Sequence, residues 1–249
     1  YWHSENLVGK DYHLNKTKAC LEKGINLIHI FEDEFENGFE ILKSMILNRL
    51  RIGTTKLYAR ETTCKMIDPR IESDFMHKNH IRGSRQTKKI CFGLYHKNTL
   101  ASAISFSLPD SKGYNVKSST LNESEILRYA NLLNYNIVGG FSKLLFHAIP
   151  ELESLGVQTI TTFANVRYSP NPSDNVYIKN GFEFVNTSEP TYWWSYNFKT
   201  YHRFSFRKGV LLQMAREKGL SISQTDTENI LAEKLGLERI YDCGHHKYM

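Results

Sequence analysis

Gly139 and Gly140 stand where the apolar pair Ile137-Val138 gives way to Phe141-Ser142-Lys143 and a helical pattern. Glycines at such a junction let backbone N–H groups at a helix N-terminus approach a pyrophosphate closely. Val138, Gly139, Gly140, Phe141, Ser142 and Lys143 are therefore candidate cofactor-binding residues. The plainer alternative is a strand-to-helix turn. Glu125 and Arg128 lie three apart in a strand candidate, so a regular strand sends them to opposite faces; sharing one cleft requires a bulge. A core-edge ion pair and a catalytic pair both fit that spacing. His77 and His80 have the i, i+3 spacing of a shared metal site but no evident third ligand. Near the end, Tyr192, Trp193, Trp194, Tyr196, Phe198, Tyr201 and Phe204 alternate with Lys199, His202, Arg203 and Arg207, followed by Lys208. Such a mixture can stack bases and neutralise phosphates; one core face of a strand would absorb about half of the aromatics.

These residues need a scaffold, and the chain is long enough for one: 249 residues, 41% hydrophobic and 23% charged, an ordinary globular composition. No apolar run reaches the ~20 residues of a membrane-spanning helix, and no membrane partner is expected. Net charge is +6 and the pI about 9.0, which makes DNA an expected partner. Cys20, Cys64, Cys91 and Cys243 have neither CxxC nor CxxH spacing and read as reduced, mostly buried thiols of a cytoplasmic protein.

Residues 12–24 form a helix with Leu14, Cys20 and Leu21 on one side. Residues 25–31 read as a buried strand, and Phe39, Leu42, Ile46 and Leu50 as a helix face ended by Gly53. Because one strand cannot cover that face, Ile28, Ile30, Leu42 and Ile46 are expected to be incompletely buried. Residues 62–67 make a strand broken by Pro69, 74–80 a helix, and 90–95 with 100–108 a hairpin. A polar loop at 110–122 leads to a strand at 125–132. The helix after Gly140 buries Phe141, Leu144, Leu145, Ala148 and Ile149, and Pro150 should kink or restart it. Then come a strand at 159–164, a short helix at 174–179, strands at 182–185 and 192–198, a helix over 210–219, and a helix capped by Thr225 and Glu228. A strand at 239–243 precedes a polar tail containing His245-His246.

Residues 56–197, with their hairpin, double glycine and Tyr177-Ile178-Lys179-Asn180-Gly181-Phe182 segment, resemble the GNAT acyltransferase superfamily. The resemblance implies a mixed sheet flanked by helices, Tyr177 as the acid that protonates a departing thiolate, and Glu125 as base or water-positioner. It also implies acetyl-CoA on residues 138–143 with Asn165. The loop departs from the family's Q/R-x-x-G-x-G/A pattern, and Phe141 is bulky; on that ground no CoA binding is expected. A second resemblance joins YWHSE, residues 12–35 and ILKSMILNRL to phage homing-endonuclease-like proteins, in which a nuclease related to very-short-patch repair is joined to a GNAT-like domain. It implies His3 as the active-site histidine, Mg²⁺ for the nuclease half, metal carboxylates upstream of Tyr1, and a bacterial host cytoplasm. Within the chain, Glu5, Asp11 and Glu32-Asp33-Glu34 are the candidates to supply such metal carboxylates; their other reading, the favoured one, is a solvated acidic loop at a helix start.

The expected architecture is α/β (α+β). Residues 1–55 form a truncated, restriction-endonuclease-like segment, 56–197 the GNAT-like domain and 198–249 a basic helical extension. The leading functional reading is a DNA-binding homing-endonuclease-like protein that contacts DNA through Lys199, Arg203, Arg207 and Lys208. Its alternatives are an acyl-CoA-dependent N-acyltransferase and a non-catalytic DNA-binding module.

Overall fold

A computed structural model describes residues 3–4, 7–109, 122–223 and 225–249. Glu5 and nearly all of the polar 110–122 loop lie outside the described residues. Architecture is mixed α/β, as expected. A seven-stranded mixed sheet, in the order β2 (Thr63–Met66), β3 (Lys89–His96), β4 (Thr99–Ser107), β5 (Glu123–Asn131), β7 (Thr159–Asn165), β12 (His245–Tyr248), β8 (Phe184–Thr187), is accompanied by two smaller sheets. In one of these, β1 (Thr55–Tyr58) pairs in parallel with β6 (Tyr135–Val138); in the other, β9 (Tyr192–Tyr196) lies between β10 (Lys199–His202) and β11 (Glu238–Tyr241).

The chain forms two compact units, each assembled from separate stretches, whereas the sequence divisions at 55 and 197 follow changes of composition. One comprises residues 37–163, 174–185 and 247–249. Its β3–β4–β5 ladder has two faces, read from the register: Cys91, Ser105 and Arg128 are successive cross-strand partners, as are Phe92, Ile104 and Tyr129. The first face packs against α3 (Pro69–Asn79) through Phe75 and Met76, beside Cys91, Ala103 and Ala130. Proline at the first helical position costs no hydrogen bond, and Asp68 caps the Arg70 N–H at 2.7 Å. That is why the helix begins at Pro69 and not at the expected residue 74. On the second face lies α4 (Gly140–Ser154), which buries Phe141, Leu144, Leu145, Ala148 and Leu152. Ile149 is 37% exposed, contrary to expectation, and Pro150 sits inside the helix without dividing it.

The other unit comprises residues 1–36, 164–173 and 186–246. Its core packs α5 (Lys208–Glu217) and α6 (Glu228–Leu235) with Trp194, Phe206 and Leu237. Trp194 is therefore a core residue, and α6 is capped by Thr227, whose hydroxyl accepts from the Ile230 N–H, instead of by Thr225. The strand expected at 25–31 is irregular backbone: Ile25 is exposed and only Phe31 is buried. The helical face of α1 (Tyr12–Glu22) buries His13 and Thr17, not the predicted Leu14, Cys20 and Leu21. Helix α2 (Glu32–Leu50) starts nearly two turns before the predicted Phe39 and is interrupted by non-helical Gly38. Of the four residues expected to be incompletely covered, only Leu42 is buried. The helix expected at 174–179 reduces to one 3-10 turn, Ile178–Asn180. The supposed polar tail is strand β12, with His246 buried.

Candidate active site

Strand β5 carries the bulge that the Glu125/Arg128 spacing required. Ser105 is opposite Arg128 and Phe106 opposite Ile126, leaving Leu127 as the extra residue. One inserted residue shifts the alternation by one, so Glu125 and Arg128 share the α3 face. Arg85, on the loop after α3, reaches Glu125 at 2.7 Å. Arg128 donates from Nε to the Gly83 carbonyl at 2.8 Å and from Nη1 to the Leu127 carbonyl at 2.7 Å. Burial, and then Arg85, pull its pKa down to about 10. Under the same loop, burial followed by Arg128 and Arg82 lowers His80 to about 3, so the imidazole is neutral and accepts the Arg82 backbone N–H at 3.1 Å. Beside it, the Glu72–Lys89 pair is almost wholly buried, with Ser105 Oγ donating to Glu72 at 2.8 Å. Burial and Glu72 push the Cys91 thiol up to about 12, which removes it as a nucleophile at neutral pH.

On the α4 side, Tyr129 meets Phe141 edge-on at 5.1 Å and Phe141 meets Tyr177 at 5.6 Å. Asn175 Oδ1 accepts the Tyr177 N–H at 2.9 Å, and left-handed Gly181 ends the turn, which fixes Tyr177. Burial raises the Tyr177 hydroxyl's pKa, opposed by its hydrogen bond with Thr162 and by Arg128. The phenol therefore holds its proton at neutral pH within electrostatic reach of the Arg128 side. The parallel pairing of β5 with β7 spans only Glu123–Glu125 with Thr159–Thr161, although the strands continue to Asn131 and Asn165.

Two features define the glycine junction. Phe141 is buried in the aromatic cluster, so its ring turns inward and leaves the first turn of α4 clear. The two glycines also differ in role. Gly139 is exposed and left-handed (φ 76°), with a hypothetical Cβ 3.7 Å from Ala59; a Cβ on Gly140 would meet Ile137 at 2.8 Å. Gly140 is thus demanded by packing, and Gly139 by backbone conformation. Val138 pairs with Tyr58 of β1, the ring that Lys56 and Arg60 approach at 5.2 and 4.9 Å. Lys143 Nζ donates to the Ala59 and Thr62 carbonyls, and Ser142 bonds Asn180. The helix start, its neighbouring cations and the open Gly139 backbone fit a pyrophosphate.

Apart from His77, the remaining candidates lie in the other unit. Asn165 is committed to a local cap, accepting the Arg167 N–H at 3.0 Å. His3 Nδ1 is 3.0 Å from His13 Nε2, and His13 packs edge-on against His29 at 5.3 Å; burial lowers His13 and takes His29 to about 4. The acidic triplet forms the first turn of α2, the helix start expected of it, but only Glu32 is solvated. Glu34 is buried in a bidentate pair with Arg167 at 2.9 and 2.8 Å, while Asp33 accepts from the Thr200 N–H and hydroxyl at 3.1 and 2.7 Å. Among the described residues no group of three or more His, Cys, Asp or Glu could hold a metal ion. His77 Nδ1 is taken up by the Ser73 carbonyl at 2.6 Å. Arg203, Arg207 and Lys208 line a cavity of about 650 Å³ with Tyr192, Phe204, Gly209 and Glu228; Lys199 is exposed at the start of β10.

Sequence reasoning missed Arg82, Arg85, Glu72 and Lys89. Arg85 lies 40 residues from Glu125, and no local pattern signals such a pair. No helix is long and apolar enough to cross a membrane among the described residues. No protein-family model matches the chain, and no curated protein sequence matches it. Solved structures similar to it include a Bacillus subtilis acetyltransferase in complex with CoA, at 13% identity and TM-score 0.38, covering 75% of this chain and 96% of that one. An IAA acetyltransferase from Bacillus cereus gives 8%, 0.36, 75% and 97%. A GNAT family acetyltransferase from Elizabethkingia anophelis with acetyl-CoA bound gives 10%, 0.35, 56% and 92%. All three are acetyltransferases, at similarities too low to transfer a substrate or a residue's role to this chain.

Proposed function

We propose that the unit containing residues 37–163 is an acyl-CoA-dependent N-acyltransferase. The observation that carries this reading is the early end of the β5–β7 pairing, at Glu125 and Thr161, with the Gly139–Gly140 helix start and the proton-bearing Tyr177 beside it. Acyl-CoA would supply an activated acyl group as a thioester, its pyrophosphate held by residues 138–143. Glu125 accepts the proton that the acceptor amine loses as its nitrogen bonds the acyl carbon. Tyr177 donates a proton to the sulfur as the carbon–sulfur bond breaks, leaving an amide and free thiol. Titration calorimetry with acetyl-CoA tests this directly, and the absence of binding by both acetyl-CoA and CoA sinks it. Given binding, Tyr177→Phe should lower kcat about a hundredfold with acetyl-CoA affinity retained.

A second reading, nucleic-acid binding by the other unit, is favoured by the cavity in which the Arg203 and Arg207 guanidiniums lie 4.7 and 5.1 Å from the Phe204 ring. Arg203→Ala with Arg207→Ala should then weaken DNA binding alike for all sequences and flatten its salt slope by about one unit per lost phosphate contact. Equal binding by parent and double variant refutes it.

A further inference from the structure

The cavity beside Phe204 measures about 650 Å³, inside the range of roughly 300–1,000 Å³ typical of small-molecule sites. A phosphate backbone crossing a surface needs no such hollow. The lining carries charge of both signs. Arg203 and Lys208 have no carboxylate within ion-pair distance among the described residues. Asp226, which acts on Lys208 from further off, is already paired with Lys234 at 2.8 Å. Half-buried Glu228, on the same lining, has no side-chain hydrogen bond or ion pair among the described residues. Both signs are felt at one place: burial and then Glu228 raise the pKa of the Tyr192 hydroxyl, which Arg239 and Arg203 lower. The Arg203 and Arg207 guanidiniums lie 4.7 and 5.1 Å from the Phe204 ring centre, and a guanidinium braced in this way offers its plane to a base. At Lys208 and Gly209 the first turn of α5 opens on the cavity with no side-chain cap and no acidic residue.

We infer that this cavity holds one nucleotide unit with a terminal phosphate, the phosphate against Arg203 and Lys208 and an amino-bearing base against Glu228. A terminal phosphate carries about −1.5 to −2 charges at neutral pH, which two cations answer, whereas an internal phosphodiester carries about one. Glu228 repels a phosphate and accepts N–H groups, so it belongs at the base end. Guanine, adenine and cytosine present an amino group there, and thymine does not. The unit is a free nucleotide or the 5′-phosphorylated end of a strand. This inference names the ligand for the nucleic-acid reading of the same cavity and rests on that reading for its meaning.

The test is calorimetric titration of the full chain with dGMP, dTMP, deoxyguanosine and inorganic phosphate, and with single strands that have or lack a 5′ phosphate. dGMP should bind and inorganic phosphate should compete with it. Deoxyguanosine, which lacks the phosphate, and dTMP, which lacks the amino group, should each bind about tenfold more weakly. Lys208→Met, at an exposed position, should weaken dGMP and phosphate alike by about tenfold. Glu228→Gln should act in opposite directions: dGMP weakens about fivefold, while inorganic phosphate binds as tightly or more tightly because a carboxylate beside it is gone. A charge effect alone would strengthen both. Preference for the 5′-phosphorylated strand assigns the cavity to strand ends; equal binding of the two strands, with dGMP bound, assigns it to free nucleotide. If strands bind through Arg203 and Arg207 and dGMP does not compete, the nucleic-acid reading stands and this inference falls. If dGMP binds and no strand does, the inference stands and that reading falls. dGMP binding unmoved by Lys208→Met, or strengthened by Glu228→Gln, overturns the inference.

Discussion

Removing the charge of Glu34 should destabilise its unit by about 3 kcal/mol, since taking one partner from a buried ion pair costs roughly 3–5 kcal/mol. The pair is a fork: Arg167 Nη1 and Nη2 reach Glu34 Oε2 and Oε1 at 2.9 and 2.8 Å, and the side chains are 1% and 4% exposed. Glu34 Oε2 also accepts the Phe31 N–H at 3.0 Å, while the guanidinium stacks 3.9 Å from the Phe31 ring centre. Glutamine preserves shape and one acceptor but turns an N–H₂ towards a guanidinium N–H. One charge-assisted hydrogen bond, about 1.5–3 kcal/mol, is then lost and the arginine stays buried. Packing contacts survive in this variant, which places it at the lower end of the range. Glu34→Leu with Arg167→Met removes both charges and should recover most of the loss, because buried pairs seldom outperform apolar replacements. Urea denaturation followed by tryptophan fluorescence is the assay: Trp193 packs on Phe31 at 6.4 Å and Trp194 sits in the same unit's core. A Glu34→Gln stability within about 0.5 kcal/mol of the parent, at an unchanged denaturant slope, would refute the reasoning.

Acid should destabilise the protein before its carboxylates titrate. The folded pKa of His80 is lowered to about 3 and that of His29 to about 4, both from 6.5, so unfolded chains take up protons that the folded sites refuse. Their contribution is complete above about pH 6.5 and lost as pH falls towards the folded values. His80 alone accounts for up to about 2 kcal/mol between pH 7 and 5, an upper figure because part of the residue reaches solvent. His80→Asn, which keeps an acceptor for the Arg82 N–H, should flatten that slope in urea titrations across pH. Gly140→Ala should cost about 1–3 kcal/mol through its clash with Ile137. Gly139→Ala should cost about 1–2 kcal/mol from its left-handed backbone alone. Thermal melts rank the two, and equal tolerance at Gly140 would contradict the packing described. Gly140→Asp is for the same reason a poor probe of phosphate binding.

The hairpin β3–β4, the strand that became β5 and the helix after Gly140 were legible because their signals are local: alternation, a turn, a glycine before an apolar helical face. Local signals misled where burial is decided at a distance. Residues 25–31 have a strand's composition but gain no ladder. His245-His246 looks polar yet completes a sheet as β12, since its partners lie far away in sequence. The candidate site divides in the same way. The helix start at Gly139 and the turn from Tyr177 to Gly181 follow from glycine's freedom at positive φ. Glu125 and Arg128 share a face only because the ladder with β4 skips Leu127, and nothing in β5 alone encodes that. Arg85 and Glu125, like Glu34 and Arg167, meet across 40 and 133 residues. Charge pairing at such separations follows from the packed tertiary structure, because only desolvation makes a carboxylate partner worth more to an arginine than water.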